Sequence, residues 1–256
     1  MIVTFSALGR YGRAANAFFQ VASTIGIARK NGFDFGFPLL INHDHRNRFG
    51  STEDIDMYRQ FVNPLPFYDG PELPERFVPW GYQNVVLTES TNLTGHMQSE
   101  RYFCHAIDEV RHYFRMKDEP PLSDYVAVHY RAGDYGSDYH PRMPIEYYRE
   151  AMNLFPGAKF LVFSDELETA KNLFGSDVEY SEGDYLEDFR RMKTCRHFII
   201  ANSSYSAMAA ILSEAPDKRV VAPRPWFGKA AGIDGEDIYS EGWEIINWQE
   251  QARAVA

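Results

Sequence analysis

The sequence predicts an α/β protein built on parallel sheet, most clearly in its second half. Short, almost wholly apolar runs recur there: "YVAVHY", "AKFLVFSD", "HFIIANS" and "KRVVAPRPW". Between them lie stretches whose apolar residues follow helical spacing. The apolar runs also lack in–out alternation, as strands covered on both faces do. Strands alternating with helices imply a parallel sheet with helices on both faces.

The elements follow in order. Residues 2–6, "IVTFS", predict a first strand, and "ALGRYGR" a Gly-containing loop. From residue 16 to 30, Phe18, Phe19, Ala22, Ile25 and Ala28 recur at helical spacing, and Asn31-Gly32 closes the helix. Residues 33–80 are rich in Pro, Gly and aromatics. A short helix is expected near 53–62, with Ser51 as cap and Asp54 three residues later. "NVVLTES", 84–90, predicts a strand. "SERYFCHAIDEVRHYFRM", 99–116, predicts a helix with Phe103, Ile107, Val110 and Phe114 on one face. The two prolines of "KDEPPLSD" mark the boundary between an N-terminal domain, 1–120, and a C-terminal domain, 121–256. Beyond it the pattern reads β-α-β-α-α-β-α-β. Pro144 starts the first of these helices, Gly175 ends the second, and no element is predicted after residue 228.

Bulk properties narrow the function. A chain of 256 residues that is 45% hydrophobic can bury a large core. A net charge of −10 argues against a non-specific grip on nucleic acid or an anionic membrane. Cys104 and Cys195, far apart, make neither a disulfide framework nor a zinc site and fit a reducing compartment. No apolar run approaches the roughly 20 residues of a membrane helix, and "MIVTFSALGR" lacks the charged start of a signal peptide. The expected location is the cytoplasm.

Ligands of open parallel sheets sit beyond the carboxyl ends of the strands. "VAVHYRAGDY" delivers His129, Arg131, Gly133 and Asp134 there, the next strand Ser164, Asp165 and Glu166, and the third Asn202, Ser203 and Ser204. Arg131 can fork two charge-assisted bonds onto phosphate oxygens. Gly133 allows close approach of backbone to a ligand. Asn-Ser-Ser opens a helix, whose free N–H groups and dipole favour an anion. Asp165 or Glu166 can accept from a guanine edge or a ribose. Plainer readings stand beside these: Asp165 and Ser203 as helix caps, and Asp134 as a salt-bridge partner of Arg131. Arg10 and Arg13 precede a helix whose dipole they oppose, which suggests that they face an anion. "DID", 54–56, and "HDH", 43–45, have metal-binding residue types, but the first falls in a capped helix and the second has no third ligand nearby. Cys195 and His197 flank a strand start and read as core and edge.

Several of these segments together resemble a known family. "VAVHYRAGDY" resembles the H-x-R-x-G-D-Y motif of the α-1,2-fucosyltransferases, glycosyltransferase family eleven, which are related to α-1,6- and protein O-fucosyltransferases. "GRAANAFFQVAS", "GHMQSERYF", "FLVFSDE", "MKTCRHFIIANSSYSAMAA" and "VVAPRPWF" are similar to further family segments, in family order over about residues 7–227. The resemblance implies a GT-B-like fold of two Rossmann-like halves, with GDP-fucose in the C-terminal half and the acceptor cleft in the N-terminal half. It implies inverting transfer of L-fucose to a glycan hydroxyl, α-1,2 to galactose, with no metal or cofactor. Arg131 would hold the β-phosphate and His129 would line the nucleotide site. Asp165 or Glu166 would meet guanine or ribose, Ser203 and Ser204 would hold phosphate, and Ser164 and Asn202 would belong to the same donor site. Arg13 and Asn16 would reach the donor from the N-terminal loop. Asp134 is the first choice of general base and Asp138 the second. Ala15 and Ala17 stand where the family has Gly and Gln, and Ala207 and Met208 where it has an aromatic pair. Two alternatives stay open: a transferase of another GDP-sugar, and a nucleotide-sugar-binding module without turnover.

Overall fold

A strand, a loop and a long helix open the chain: β1 (Ile2–Thr4) leads into α1 (Ala14–Lys30). The computed structural model describes residues 1–38 and 53–249, so His43, His45 and Ser51 lie outside the described residues. Helix α1 is buried nearly all round from Ala14 to Ala28, as a helix apolar on every side must be. Gly26 lets it approach the backbone of residue 102 closely: a Cβ there would stand 2.1 Å from the Tyr102 carbonyl oxygen.

Four parallel strands make the N-terminal sheet, in the order β2 (Asp34–Phe35), β1, β4 (Thr91–Gly95), β3 (Glu75–Val78). Helix α2 (Glu53–Tyr58) falls where a short helix was expected. The strand expected at 84–90 is displaced to Thr91–Gly95. The earlier segment is held by a side chain instead of a ladder. Asn31, at the end of α1, donates from Nδ2 to the Val85 carbonyl and accepts the Leu87 N–H. The helix expected over 99–116 shrinks to α3 (Ile107–Tyr113), preceded by two 3-10 turns, Glu100–Tyr102 and Cys104–Ala106. There the Tyr102 hydroxyl accepts the Gln83 N–H and donates to the Gly81 carbonyl, a tertiary anchor that overrides helical periodicity.

The second sheet has six parallel strands. In chain order they are β5 (Ser123–Tyr130), β6 (Phe160–Ser164), β7 (Glu179–Tyr180), β8 (Cys195–Ile199), β9 (Val220–Arg224) and β10 (Glu244–Asn247). Their spatial order is β10-β9-β8-β5-β6-β7. The connecting helices are α4 (Ile145–Asn153), α5 (Leu167–Phe174), α6 (Tyr185–Lys193) and α7 (Ser204–Leu212). Strands β7 and β10 are additions to the predicted pattern. Neighbouring β5 residues face opposite ways: Tyr130 packs on Tyr148 of α4, while His129 meets Ser206 of α7. Helices therefore cover both faces, and the α/β class predicted from the apolar runs is the observed one. One face of this core joins Val126, Val128, Val162, Ile199 and Val221 to Tyr147, Tyr148 and Ala151.

The chain divides into two compact units, Met1–Asp118 and Glu119–Ala256. No helix among the described residues is long and apolar enough to cross a membrane.

Candidate active site

The strand order of the second sheet reverses between β5 and β8. The chain winds outward from β5 through β6 to β7, then returns to lay β8 against the other edge of β5. Such a switch point leaves a crevice at the carboxyl ends of the two strands, where doubly wound sheets bind ligands. His129 and Arg131 leave from β5 at this point, and Asn202 and Ser203 leave from β8.

Arg131 is largely buried and meets two carboxylates. Its Nη2 donates to Asp134 at 2.5 Å and its Nη1 lies 3.0 Å from Asp165. Burial works against its charge, but Asp165 and Asp134 outweigh that cost and hold the guanidinium protonated more firmly than usual. Asp165 is occupied further. It accepts the N–H groups of Ala132 at 2.9 Å and Gly133 at 3.0 Å. A Cβ on Gly133 would stand 2.6 Å from the same carboxylate, so this glycine makes room for Asp165. Asp165 thus fastens the loop after β5 and caps no helix. The N-cap of α5 is Glu166, whose side chain makes no capping bond. Ser164 accepts the Glu166 N–H at 3.0 Å, shaping the exit of β6.

His129 is buried, and its Nδ1 lies 2.8 Å from the Ser206 hydroxyl on α7. Burial, reinforced by the Arg131 charge, pushes its pKa down from 6.5 to about 3. It stays neutral at working pH and ties β5 to α7. This has a measurable sign. Between about pH 6.5 and pH 3 the unfolded chain binds a proton at residue 129 that the native state refuses, so stability falls as pH falls through that window. The slope from one such group is about 1.4 kcal/mol per pH unit. Asp188 acts oppositely, because burial raises its pKa from 3.8 to about 6 and its stabilising effect is lost as pH rises between them. A comparison of wild type with His129→Asn cancels Asp188. Urea unfolding at several pH values is expected to give a steeper acid loss for wild type than for the variant.

Ser203 caps α7, accepting the Tyr205 N–H at 3.4 Å, as its residue type suggested. Ser204 opens the first turn, where N–H groups lack helical acceptors. The Asn202 side chain turns elsewhere. Its Nδ2 donates to the carbonyls of Pro141 and Trp226, tying the loop after β5 to the exit of β9. Asp134 is exposed against Arg131, and Asp138 is exposed further along the loop. The Asp138 carbonyl accepts the Ala230 N–H, and a Cβ on Gly228 would lie only 2.0 Å from it.

In the N-terminal unit Arg13 is exposed and forms the N-cap of α1 without a side-chain capping bond. Asn16, one turn on, accepts from the Gln98 amide. Gly12 has φ +117, and a Cβ there would run into the Asn16 side chain.

Residues that sequence reasoning passed over complete the site. Tyr135 donates its hydroxyl to the Asn202 carbonyl at 3.0 Å, and its ring lies 5.5 Å from the Arg131 guanidinium carbon. Arg142 braces the loop through the carbonyls of Ala132 and Tyr135. The tyrosine was visible as the last letter of the "HYRAGDY" stretch, but nothing local assigned it a partner.

A doubly wound sheet with polar residues gathered at its switch point defines a Rossmann-type α/β protein. The chain belongs to glycosyl transferase family 11, whose model matches residues 88–247. It is 34% identical over 133 residues to the O-antigen biosynthesis glycosyltransferase WbnK of Escherichia coli, a match that covers 46% of this chain and 43% of that protein. It is 33% identical over 189 residues to an alpha-1,2-colitosyltransferase of Escherichia coli, covering 64% of this chain and 65% of that one. The chain thus spans less than two thirds of the length of either relative. The E. coli heptosyltransferase WaaC with ADP superposes with a TM-score of 0.45 at 13% identity, over 100% of this chain and 99% of that one. A family 9 glycosyl transferase from Veillonella parvula does so with a TM-score of 0.47 at 11% identity, over 99% and 87%.

Proposed function

We propose that the protein is an inverting glycosyltransferase that moves L-fucose from GDP-fucose to a glycan hydroxyl, α-1,2 to galactose, without a metal. The observation that carries this reading is Arg131 at the switch point, near the mouth of α7 and joined to it through Tyr135. As the bond from the anomeric carbon to the diphosphate breaks, negative charge grows on the departing GDP. Arg131 and the first-turn N–H groups of α7 are preset to meet it, which is where preorganised donors lower a barrier most. Asp134, already on Arg131, orients the guanidinium and gives way to phosphate oxygen. Asp138, exposed on the same loop, is then the proposed base for the acceptor hydroxyl, which attacks from the face opposite GDP. We assign the donor to the C-terminal unit and the acceptor to the N-terminal unit. The reaction is placed in the cytoplasm, in keeping with two free cysteines.

A second reading differs only in the donor sugar. One relative is named an alpha-1,2-colitosyltransferase. Colitose is fucose without its 3-hydroxyl, so the same diphosphate seat would serve its GDP derivative. The test is transfer and donor hydrolysis across GDP-fucose, GDP-colitose and GDP-mannose, with and without chelator, with the product anomer read by NMR. Chelator-resistant transfer from GDP-fucose with inversion is the expected result. Preference for GDP-colitose would select the second reading. Tight GDP binding with no turnover would make the protein a binding module, and loss of activity on chelation would overturn the metal-free mechanism.

A further inference from the structure

We propose that Tyr135 is a positioning residue of the transfer reaction, holding the Arg131 guanidinium and the mouth of α7 at a fixed separation. The inference rests on the donor reading above. Tyr135 is fixed at three points. Its hydroxyl donates to the carbonyl of Asn202, the residue before the α7 cap, at 3.0 Å. One side of its environment holds Arg131, at 5.5 Å from the ring centre. Its ring also stacks on His140, with centroids 5.1 Å apart and planes 18° from parallel. His140 is in turn packed against Phe227, beyond the end of β9, at 5.9 Å.

The exits of three neighbouring strands are therefore linked through this ring, the third of them by way of His140. Arg131 comes from β5, Asn202 from β8 and Phe227 from β9. A diphosphate held between guanidinium and helix mouth would feel any change in their spacing directly. Burial pushes the Tyr135 phenol up to about 12, so it keeps its proton at every working pH and remains a donor to the Asn202 carbonyl. The ring and the hydroxyl have separable tasks. The ring fills the space beside Arg131 and sets where the guanidinium rests. The hydroxyl sets the height of the α7 mouth.

Tyr135→Phe and Tyr135→Leu separate these tasks. Calorimetry with GDP and steady-state transfer are measured on wild type and both variants, with thermal unfolding as a check. Positioning predicts that Tyr135→Phe binds GDP within about threefold of wild type while its kcat falls roughly tenfold, since small misplacements of a leaving group cost rate before affinity. Tyr135→Leu is expected to lose roughly tenfold in GDP affinity as well. His140→Ala, which removes the prop but leaves Tyr135 in place, should reproduce part of the Tyr135→Leu loss, and His140→Phe should restore it. Wild-type kcat and GDP affinity in both Tyr135 variants would overturn the proposal. So would losses that merely track the folded fraction. If wild type itself fails to bind GDP, the donor reading falls and this proposal with it; if wild type binds and the variants match it, only this proposal falls.

Discussion

Arg131→Ala is expected to abolish transfer and to weaken GDP binding by about a hundredfold, roughly 3 kcal/mol. The side chain is the cation at the switch point, and charge-assisted bonds to phosphate are worth about 1.5–3 kcal/mol each. The substitution also leaves Asp134 and Asp165 without the charge between them. Two carboxylates facing one empty space repel an anion, so the loss exceeds that of the contacts alone. Arg131→Lys keeps the charge but cannot fork, and should recover binding only in part. Isothermal titration with GDP reads the effect. An unchanged affinity in Arg131→Ala would remove this residue from the donor seat.

The second large effect is expected at Asp165. It accepts two backbone N–H groups and forms an ion pair with the Arg131 guanidinium at 3.0 Å. Asp165→Ala strips all three at once and frees the loop that carries Arg131. Stability should fall by about 2–4 kcal/mol, and GDP binding should fall with it even under folding conditions. Asp165→Asn keeps an acceptor oxygen but puts an NH2 group against an N–H donor, so it should lie between alanine and wild type. The outcome separates two roles. A residue that read the guanine base would lose its preference for GDP over other nucleoside diphosphates on substitution. A residue that builds the loop weakens all of them alike, and that uniform loss, measured by titration with GDP, ADP and UDP, is the expected result.

The C-terminal half was legible because its strands are continuous apolar runs bounded by capping and turn residues. Pro144 as the residue before α4, Asp184 capping α6 through Leu186 and Glu187, and Gly175 ending α5 all act locally. The N-terminal sheet was not legible in this way. Its β4 strand, "TNLTG", is less apolar than the "NVVL" before it, yet it is the one that pairs. The decision is made by Asn31, which takes the backbone groups of Val85 and Leu87, and no pattern within the segment records that. The site divides along the same line. Polar residues at strand ends could be found by position alone. Asp165 on Ala132 and Gly133, Asn202 on Pro141 and Trp226, and Tyr135 on Asn202 are pairings across 24 to 67 residues of chain. Such partners are chosen by the fold, and they turn several apparent ligand contacts into struts.

The place of β5 within its sheet bears on how the protein is made. Its neighbours are β6, which follows it directly, and β8, which leaves the ribosome only after two further strands and three helices have emerged. Until β8 docks, one margin of β5 has unpaired amides and carbonyls open to any passing extended chain. That docking joins distant segments and is the slower kind of event in folding. Nascent chains halted just after β7 should therefore be the form most prone to clump, and the proposed donor seat takes shape only in the step that closes that margin.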